Sequence, residues 1–319
     1  MNQFSKISWL DRQKCPIEDL VIYHAERRKE QFAQGKKLRG IKFRQRIYPL
    51  VKLILKIDQL LSHEKIIIIG DQHTRNPGIP TIYACTHIGG NDIQRAFQVM
   101  NDPAYLMLGD PGILYRMPIY WGLKLNGVIP LETTDREDRK IAYARAIELL
   151  NAGGNLLIYP EGAWNVSPNL VMMKTFTGTV RMAQETGAEI VPIALEQYGK
   201  TFYFNVGKNY RIPKGNPKST DELNSDLRDT LATLKWEIME KQGILRREDV
   251  PTDHLDVFQA EIVGRCNYGY GFSLQDALNE AFHDKHIYSP EKVFAHLNDL
   301  IPSKENAFLF RNRWNGGAE

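Results

Sequence analysis

The sequence predicts an α/β protein in which helices flank a largely parallel central sheet, for two reasons. Short β-rich apolar runs alternate with segments of helical periodicity, as in strands joined by crossover helices. Several runs also end abruptly at a polar or ionisable side chain, as strands do at the edge of a sheet. The predicted strands cover residues 65–69, 81–86, 104–108, 127–131, 155–159, 189–195 and 201–206. The predicted helices cover residues 93–100, 138–151, 178–186 and 221–241.

Length and composition favour a folded chain with a sizeable core. The 319 residues are 43% hydrophobic, and chains of this length form one large domain or two ordinary ones. We expect a basic helical N-terminal segment over residues 1–64, an α/β domain over residues 65–243 and an appended C-terminal region over residues 244–319. Helical patterns at 274–282 and 290–300 fall in this last region, to which the sequence assigns no role.

Positive charge is concentrated near the N-terminus. Residues 1–65 contain 15 Lys or Arg and 7 Asp or Glu, a net charge of +8, whereas the remainder has 26 basic and 31 acidic residues, a net charge of −5. Within residues 27–61, apolar residues at helical spacing lie opposite Lys52 and Lys56. Such a basic amphipathic segment indicates an anionic membrane surface as partner. A packed helix with a solvated basic face is the equal alternative. Thin aromatic interleaving predicts no nucleic-acid partner.

The cysteine content and the hydropathy of the chain indicate the cellular compartment. Cys15, Cys85 and Cys266 are odd in number and far apart, which favours a reducing compartment over a disulfide framework or a zinc site. The N-terminus has no apolar signal core, and no apolar run approaches the roughly 18 residues of a membrane span. We expect a cytoplasmic protein, able to bind peripherally to the inner face of the membrane, with no metal or cofactor.

Three ionisable side chains follow or flank the predicted strand ends. His87 comes directly after the second strand, Asp92 begins the next helical pattern, and Glu161 follows the fifth strand. Groups at the carboxyl ends of strands converge on one crevice in open α/β sheets. An unperturbed histidine titrates near neutral pH and acts as a general base, and a neighbouring carboxylate fixes its tautomer. The pattern therefore predicts that a base, a carboxylate able to orient it and a second carboxylate meet in one cleft.

Four blocks in fixed order resemble those of the glycerolipid acyltransferase superfamily, which includes lysophosphatidic acid acyltransferases. His87 and Asp92 match the first block, an Asn-His-(x)4-Asp type signature in which Thr86 stands where Asn is common. The other three blocks match residues 125–132, residues 159–162 (Tyr-Pro-Glu-Gly) and residues 191–195. The resemblance extends over about residues 65–240.

This resemblance implies an acyltransferase of phospholipid biosynthesis. The donor would be acyl-CoA or acyl-carrier protein, and the acceptor would be a hydroxyl or amine of a lipid or glycolipid precursor. His87 would be the general base, oriented by Asp92. Glu161 would hold acceptor hydroxyls, and the Gly162 amide would help to bind the acyl oxyanion.

Three positions depart from the family pattern. Thr133 stands where the second block usually ends in Arg, and Trp164 stands where the third block continues with Arg. Phe176 stands two residues before the Gly that begins a helix, a position that is often Lys. The family uses those cations to hold the phosphate of the acceptor. We therefore expect lysophosphatidic acid and glycerol 3-phosphate to be poor acceptors, with Trp164 as a flat wall for an uncharged polyol, sugar or amino-lipid. The cations that could substitute are Arg116, Arg136, Arg139 and Lys174.

Simpler interpretations stay open. His87 can be a hydrogen-bonded structural residue, Asp92 a helix N-cap alone, and Glu161 with Gly162 an ordinary turn. Cys85 shares the strand of His87, so a Cys–His pair is also conceivable. At the level of function, the alternatives are a thioesterase or esterase that uses the dyad on water, and a non-catalytic lipid- or membrane-binding protein with the same fold.

Overall fold

The computed structural model describes residues 14–109, 115, 119–168, 170–265, 274–280, 301 and 303. The chain divides into two compact units, residues 1–282 and residues 283–319, and the helices and strands of the described residues belong to the first. The helices are α1 (Ile17–Ala33), α2 (Ile41–Leu61), α3 (Asp92–Met100), α4 (Ile119–Asn126), α5 (Arg136–Asn151), α6 (Gly178–Thr186), α7 (Thr220–Gln242), α8 (His254–Gly264) and α9 (Leu274–Glu280). The strands are β1 (Lys65–Asp71), β2 (Thr81–Cys85), β3 (Ala104–Gly109), β4 (Val128–Leu131), β5 (Asn155–Ile158), β6 (Glu189–Tyr198) and β7 (Thr201–Val206).

The seven strands form one sheet in the order β1-β7-β6-β2-β5-β3-β4. The five strands from β6 to β4 run in one direction, whereas β7 and β1 run in the other. A two-residue connection from Tyr198 to Thr201 joins β6 to β7 as a hairpin, and so short a link can join only antiparallel neighbours. The predicted α/β fold with a largely parallel sheet and flanking helices is confirmed, with this reversed pair as the exception.

The sheet is buried on both faces around β2. Ile82 and Ala84 pack against α5, α6 and α7 on one face, while Tyr83 and Cys85 pack against α3 on the other. Burial on both faces is why the parallel strands appear in the sequence as continuous apolar runs. Because β5 pairs directly with β2, the residues that follow these two strands emerge side by side at the carboxyl edge of the sheet.

Helix α2 packs one face on the domain and exposes a second apolar face. Tyr48 and Val51 are buried, and the Tyr48 hydroxyl donates to the Phe97 carbonyl at 3.0 Å. The exposed apolar side chains are Phe43, Leu50, Leu53, Ile54, Ile57, Leu60 and Leu61, and we call this set the α2 stripe. The helix is thus packed within the fold and still presents an apolar surface. Among the described helices, none is both long and apolar enough to cross a bilayer.

Helix α8, which the sequence did not predict, lies against the loop that follows β5. Ile262 packs on Val166, and the Gln259 amide donates to the Val166 carbonyl at 3.2 Å. Leu255 on the same helix is exposed, so the helix is apolar on more than one side and lacks the periodicity that marks a surface helix. Helix α9 falls within the predicted segment 274–282. The predicted helix over 290–300 lies outside the described residues.

Candidate active site

A hydrogen-bonded His–Asp pair lies at the carboxyl edge of β2. The His87 Nδ1 is 2.7 Å from Asp92 Oδ2, and the same oxygen accepts the backbone N–H groups of Ile88 and Gly89, each at 2.9 Å. Gly89 and Gly90 have φ angles of +84° and +65°, a region that glycine adopts without strain. These two glycines fold the chain back, so that the start of α3 returns to the histidine.

The Asp92 carboxylate orients the imidazole and does not cap its own helix. It is Asn91 that precedes the first turn of α3, and its side chain makes no capping bond. Asp92 is 1% exposed, and its Oδ1 is buried with no hydrogen-bond partner in the described part of the protein. A carboxylate accepts only, so the Nδ1 of His87 is the donor and the Nε2 is left free to accept a proton.

Two aromatic rings enclose the imidazole. The Tyr159 ring stacks on His87 with centroids 4.2 Å apart, and the Trp164 ring meets it edge-on at 6.1 Å. A Cβ on Gly89 would lie 2.9 Å from the indole, so Trp164 covers the glycine turn. Burial and the nearby Asp92 raise the pKa of Tyr159 well above its ordinary value, and the hydroxyl stays protonated. The sequence alone assigned Tyr159 no role, although it precedes Pro-Glu-Gly.

Glu161 is buried beside His87 and bonded to the protein backbone. Its carboxylate is fully buried, Oε1 accepts the His87 backbone N–H at 3.2 Å, and Oε2 accepts the Met173 backbone N–H at 2.9 Å. Burial raises the pKa of Glu161, while the charge of Lys235 and the two backbone bonds oppose this rise. Its oxygens thus join two loops through backbone N–H groups, and a role for Glu161 in holding acceptor hydroxyls stays a prediction.

The Gly162 amide is also engaged within the protein. It donates to the Tyr159 carbonyl at 3.0 Å, and its φ of +72° closes the turn after β5. The Phe176 ring lies where a Cβ on this glycine would sit. This turn hydrogen bond sets the path of the loop beside His87, and the oxyanion contact expected from Gly162 stays a prediction.

Two further buried groups lie beneath the dyad. Lys235 of α7 is 3% exposed, with its Nζ 3.0 Å from Glu196 Oε1. Burial alone lowers the pKa of Lys235, but Glu196 and Glu161 outweigh it and the net shift is upward. Burial, reinforced by Asp92, raises the pKa of the Cys85 thiol well above its ordinary value. The fully buried Cys85 is a neutral packing group, which removes the Cys–His alternative.

The residues that were expected to bind the acceptor are distributed over the same edge of the sheet. Thr133 is exposed two residues after β4, and the Arg139 guanidinium donates to its backbone carbonyl. Arg136 and Lys174 are exposed, and Arg116 lies outside the described residues. Arg139 thus places a positive charge beside Thr133, where the family pattern has its own arginine. The prediction of a poor response to phosphate-bearing acceptors now depends on Arg139.

Comparison with known proteins defines the central part of the chain. Residues 65–196 match the model of the family described as Acyltransferase. These residues form an acyltransferase domain. The resemblance seen in the sequence is confirmed, and the domain contains both members of the dyad as well as Glu161.

Curated relatives of this domain include plant enzymes. A chloroplastic 1-acyl-sn-glycerol-3-phosphate acyltransferase of Arabidopsis thaliana is 28% identical over 136 residues, which are 43% of this chain and 37% of the relative. A chloroplastic enzyme of the same name from Brassica napus is 28% identical over 121 residues, covering 38% of this chain and 34% of the relative. The match therefore spans little more than a third of the length of these relatives.

One solved structure shares the fold. The 1-acyl-sn-glycerophosphate acyltransferase PlsC from Thermotoga maritima superposes with a TM-score of 0.51 at 15% identity, covering 72% of this chain and 92% of that protein. At this identity the likeness shows a common architecture. It extends beyond residues 65–196, since 72% of the chain exceeds the length of the acyltransferase domain.

Proposed function

We propose that the protein transfers a fatty acyl group from a thioester donor, acyl-CoA or acyl-carrier protein, to a hydroxyl group of a lipid precursor. The observation that carries the proposal is the 2.7 Å contact between His87 and Asp92 at the carboxyl edge of the sheet, within an acyltransferase domain. Relatives named as 1-acyl-sn-glycerol-3-phosphate acyltransferases support a lysophospholipid as the class of acceptor.

The proposed reaction accounts for each proton. The Nε2 of His87 takes the proton from the acceptor hydroxyl while that oxygen attacks the thioester carbonyl. The tetrahedral intermediate collapses by breaking the C–S bond, and the thiolate leaves with the proton that Nε2 returns. Asp92 holds Nδ1–H and stabilises the transient imidazolium. The stacked ring of Tyr159 keeps the imidazole in this orientation.

We propose that the choice between a phosphate-bearing and an uncharged acceptor rests on Arg139. The relatives' names favour phosphate, and the guanidinium beside Thr133 provides a cation for it. Trp164 supplies an apolar wall against His87 and the glycine turn that follows it. Transfer rates to lysophosphatidic acid and to monoacylglycerol decide between them. If Arg139→Ala lowers the first rate and spares the second, the acceptor is bound through its phosphate; equal rates in the wild-type protein support the uncharged acceptor.

A peripheral membrane location fits the exposed surface of α2. The α2 stripe presents apolar side chains along the whole helix, and exposed basic residues accompany it. An apolar face flanked by positive charge lies in the headgroup region of an anionic bilayer. We propose that this surface, within residues 27–61, brings the protein from the cytoplasm to the membrane in which its acceptor is dissolved.

Release of free thiol from acyl-CoA and from acyl-carrier protein tests the proposed function, with and without a lysophospholipid. Acceptor-dependent release, with acylated lipid found by mass spectrometry, supports the transferase. Release without any acceptor identifies a thioesterase. Binding to vesicles without release of thiol from either donor identifies a lipid-binding protein that kept the fold.

A further inference from the structure

A fully buried arginine in α3, the helix that begins at Asp92, is hydrogen-bonded to the C-terminal end of α2. Arg95 lies one turn after Asp92 in α3 and has no exposed surface. Its Nε donates to Glu64 Oε2 at 2.6 Å, and its Nη2 donates to Asp58 Oδ2 at 2.8 Å and to the Ser62 hydroxyl at 3.0 Å. Its Nη1 donates to Gln98 Oε1 at 2.9 Å and to the Leu55 carbonyl at 3.4 Å.

Apart from Gln98, these partners belong to one short stretch of chain. Leu55, Asp58 and Ser62 form the last turns of α2 and its C-terminal end, and Glu64 precedes β1. The same stretch carries the most exposed part of the α2 stripe, where Leu60 and Leu61 are 63% and 76% exposed. The guanidinium thus binds the inner side of the last turn of α2, and the outer side of that turn is apolar.

Glu64 extends this contact to the dyad. While Oε2 accepts from Arg95, Oε1 accepts from the Asn91 side-chain amide at 2.7 Å. Asn91 directly precedes Asp92, whose carboxylate holds His87. Four hydrogen bonds and the peptide link from Asn91 to Asp92 therefore connect the end of α2 with the imidazole of His87. Glu64 is almost completely buried, so water does not compete for these bonds.

An ionic network is an unusual way to join two helices that apolar packing would hold. A buried charge needs full compensation, and its replacement by apolar side chains is often neutral or stabilising. What a guanidinium adds is geometry, because its planar fork of donors accepts one arrangement of partners. Apolar contacts alone tolerate small rotations or slides of one helix on another.

We propose that Arg95 and Glu64 are positioning residues that fix the height of the α2 stripe relative to His87. This proposal rests on the proposed function: with α2 in the bilayer interface, the network sets where the hydroxyl of a membrane-embedded acceptor meets Nε2. Its effect concerns acceptors presented by a membrane, since access of a freely dissolved acceptor does not depend on how the protein lies on a bilayer.

The test compares two presentations of one acceptor. The ratio of transfer to lysophosphatidic acid in anionic vesicles over transfer to a short-chain analogue in free solution is measured for the wild-type protein and for Glu64→Gln and Arg95→Lys. Both variants keep a side chain of similar length. Glu64→Gln loses the carboxylate charge, and Arg95→Lys loses the planar set of guanidinium donors. We expect the ratio to fall at least tenfold while vesicle binding is retained. The control is Asp102→Asn, a buried carboxylate at the opposite edge of the sheet, which leaves the ratio unchanged.

Hydrogen exchange supplies a readout that does not need turnover. The backbone N–H groups of Ile88 and Gly89 are hydrogen-bonded to Asp92. Their exchange rates therefore report how firmly the turn between His87 and Asp92 is held. Vesicles should slow this exchange in the wild-type protein and not in Glu64→Gln. Equal slowing in both, no slowing in the wild type, or equal loss with both acceptor forms would overturn the proposal. Slowing without any acyl transfer would retain the link and overturn the proposed function.

Discussion

The two edges of the sheet each contain a buried aspartate with three hydrogen-bond donors, and they use it differently. At the amino edge, Asp102 accepts from Arg75 at 2.6 Å and from Tyr83 and Asn155 at 2.9 Å, so that both of its oxygens have partners. At the carboxyl edge, Asp92 gathers its donors on one oxygen. The charge of Asp102 is balanced by a permanent cation, whereas that of Asp92 faces an imidazole that can gain a proton.

The surroundings of the two aspartates also differ. A cavity of about 750 Å³ lies at the amino edge, lined by Lys52, Arg75 and Asp102 among others, while the imidazole at the carboxyl edge contacts the rings of Tyr159 and Trp164. The carboxyl edge is thus distinguished by bonding capacity that the fold leaves open, since Asp92 Oδ1 has no hydrogen-bond partner among the described residues. Changes at the two edges should therefore have separable consequences for activity and stability.

The largest expected effect is on turnover at the carboxyl edge. Replacing His87 by Ala removes the general base and should lower the rate of acyl transfer by about 10²- to 10⁴-fold. Asp102→Asn at the amino edge should stay within a few-fold of wild type. Thiol release measures both variants, and thermal unfolding verifies that each is folded. Transfer by His87→Ala at the wild-type rate would remove the dyad from the mechanism.

Replacing a buried and fully paired charge near the dyad should change the stability of the protein. Lys235→Met leaves Glu196 and Glu161 without their cation, and breaking such a pair costs roughly 3–5 kcal/mol of stability. Because the pKa of Lys235 is raised above 10.5 in the folded protein, this stabilisation is present below pH 10.5 and is lost as the pH rises through the folded-state pKa.

Denaturant unfolding at several pH values measures this difference. The matched control is Lys241→Met, since Lys241 is exposed on the same helix and should change stability by less than about 0.5 kcal/mol. Equal stabilities for the two variants at neutral pH would show that the ion pair between Lys235 and Glu196 contributes nothing.

The orienting aspartate should show a smaller loss than its histidine. In Asp92→Asn one side-chain oxygen still accepts the backbone bonds, but the amide presents N–H groups toward Nδ1 and disfavours the tautomer whose Nε2 accepts a proton. We expect the turnover number to fall about 10²-fold, at the low end of general-base effects, with little change in KM. Normal turnover of the Asn variant would mean that Asp92 serves the turn and not the reaction.

The smallest effect concerns the orientation on a membrane. Lys52 lines the amino-edge cavity, whereas Leu60 and Leu61 end the α2 stripe at the carboxyl edge. Lys52→Glu with Lys56→Glu should weaken binding to anionic vesicles by about 1 kcal/mol for each cation lost, and less at high salt. Leu60→Ser with Leu61→Ser should weaken binding to anionic and neutral vesicles alike.

Co-sedimentation with both kinds of vesicle at two salt concentrations separates these contributions. A larger loss from the leucine pair places the bilayer against the carboxyl edge, where the dyad lies. Unchanged binding in both double variants would show that α2 is not the membrane surface.

The sequence by itself determined the fold class and the pairing of His87 with Asp92, because both depend on patterns of residues that are close together in the chain. The apolar runs predicted the strands, and the run before His87 with the two glycines after it predicted the turn that returns Asp92 to the imidazole. The ordered blocks predicted the family. Each of these signals is carried by residues close together in the chain, where spacing and strand or helix geometry fix which side chains meet.

Features that depend on contacts between residues far apart in the chain were decided only by the tertiary structure. The direction of β1 depends on its pairing with β7, more than a hundred residues away. Glu161 turns inward because the amides of His87 and Met173 meet its carboxylate, and no strand-end pattern predicts that. Arg95 has the sequence context of a surface residue on an amphipathic helix, yet Glu64 and Asp58 bury it. A charged side chain enters a core only where distant partners compensate it, and those partners are brought together by folding.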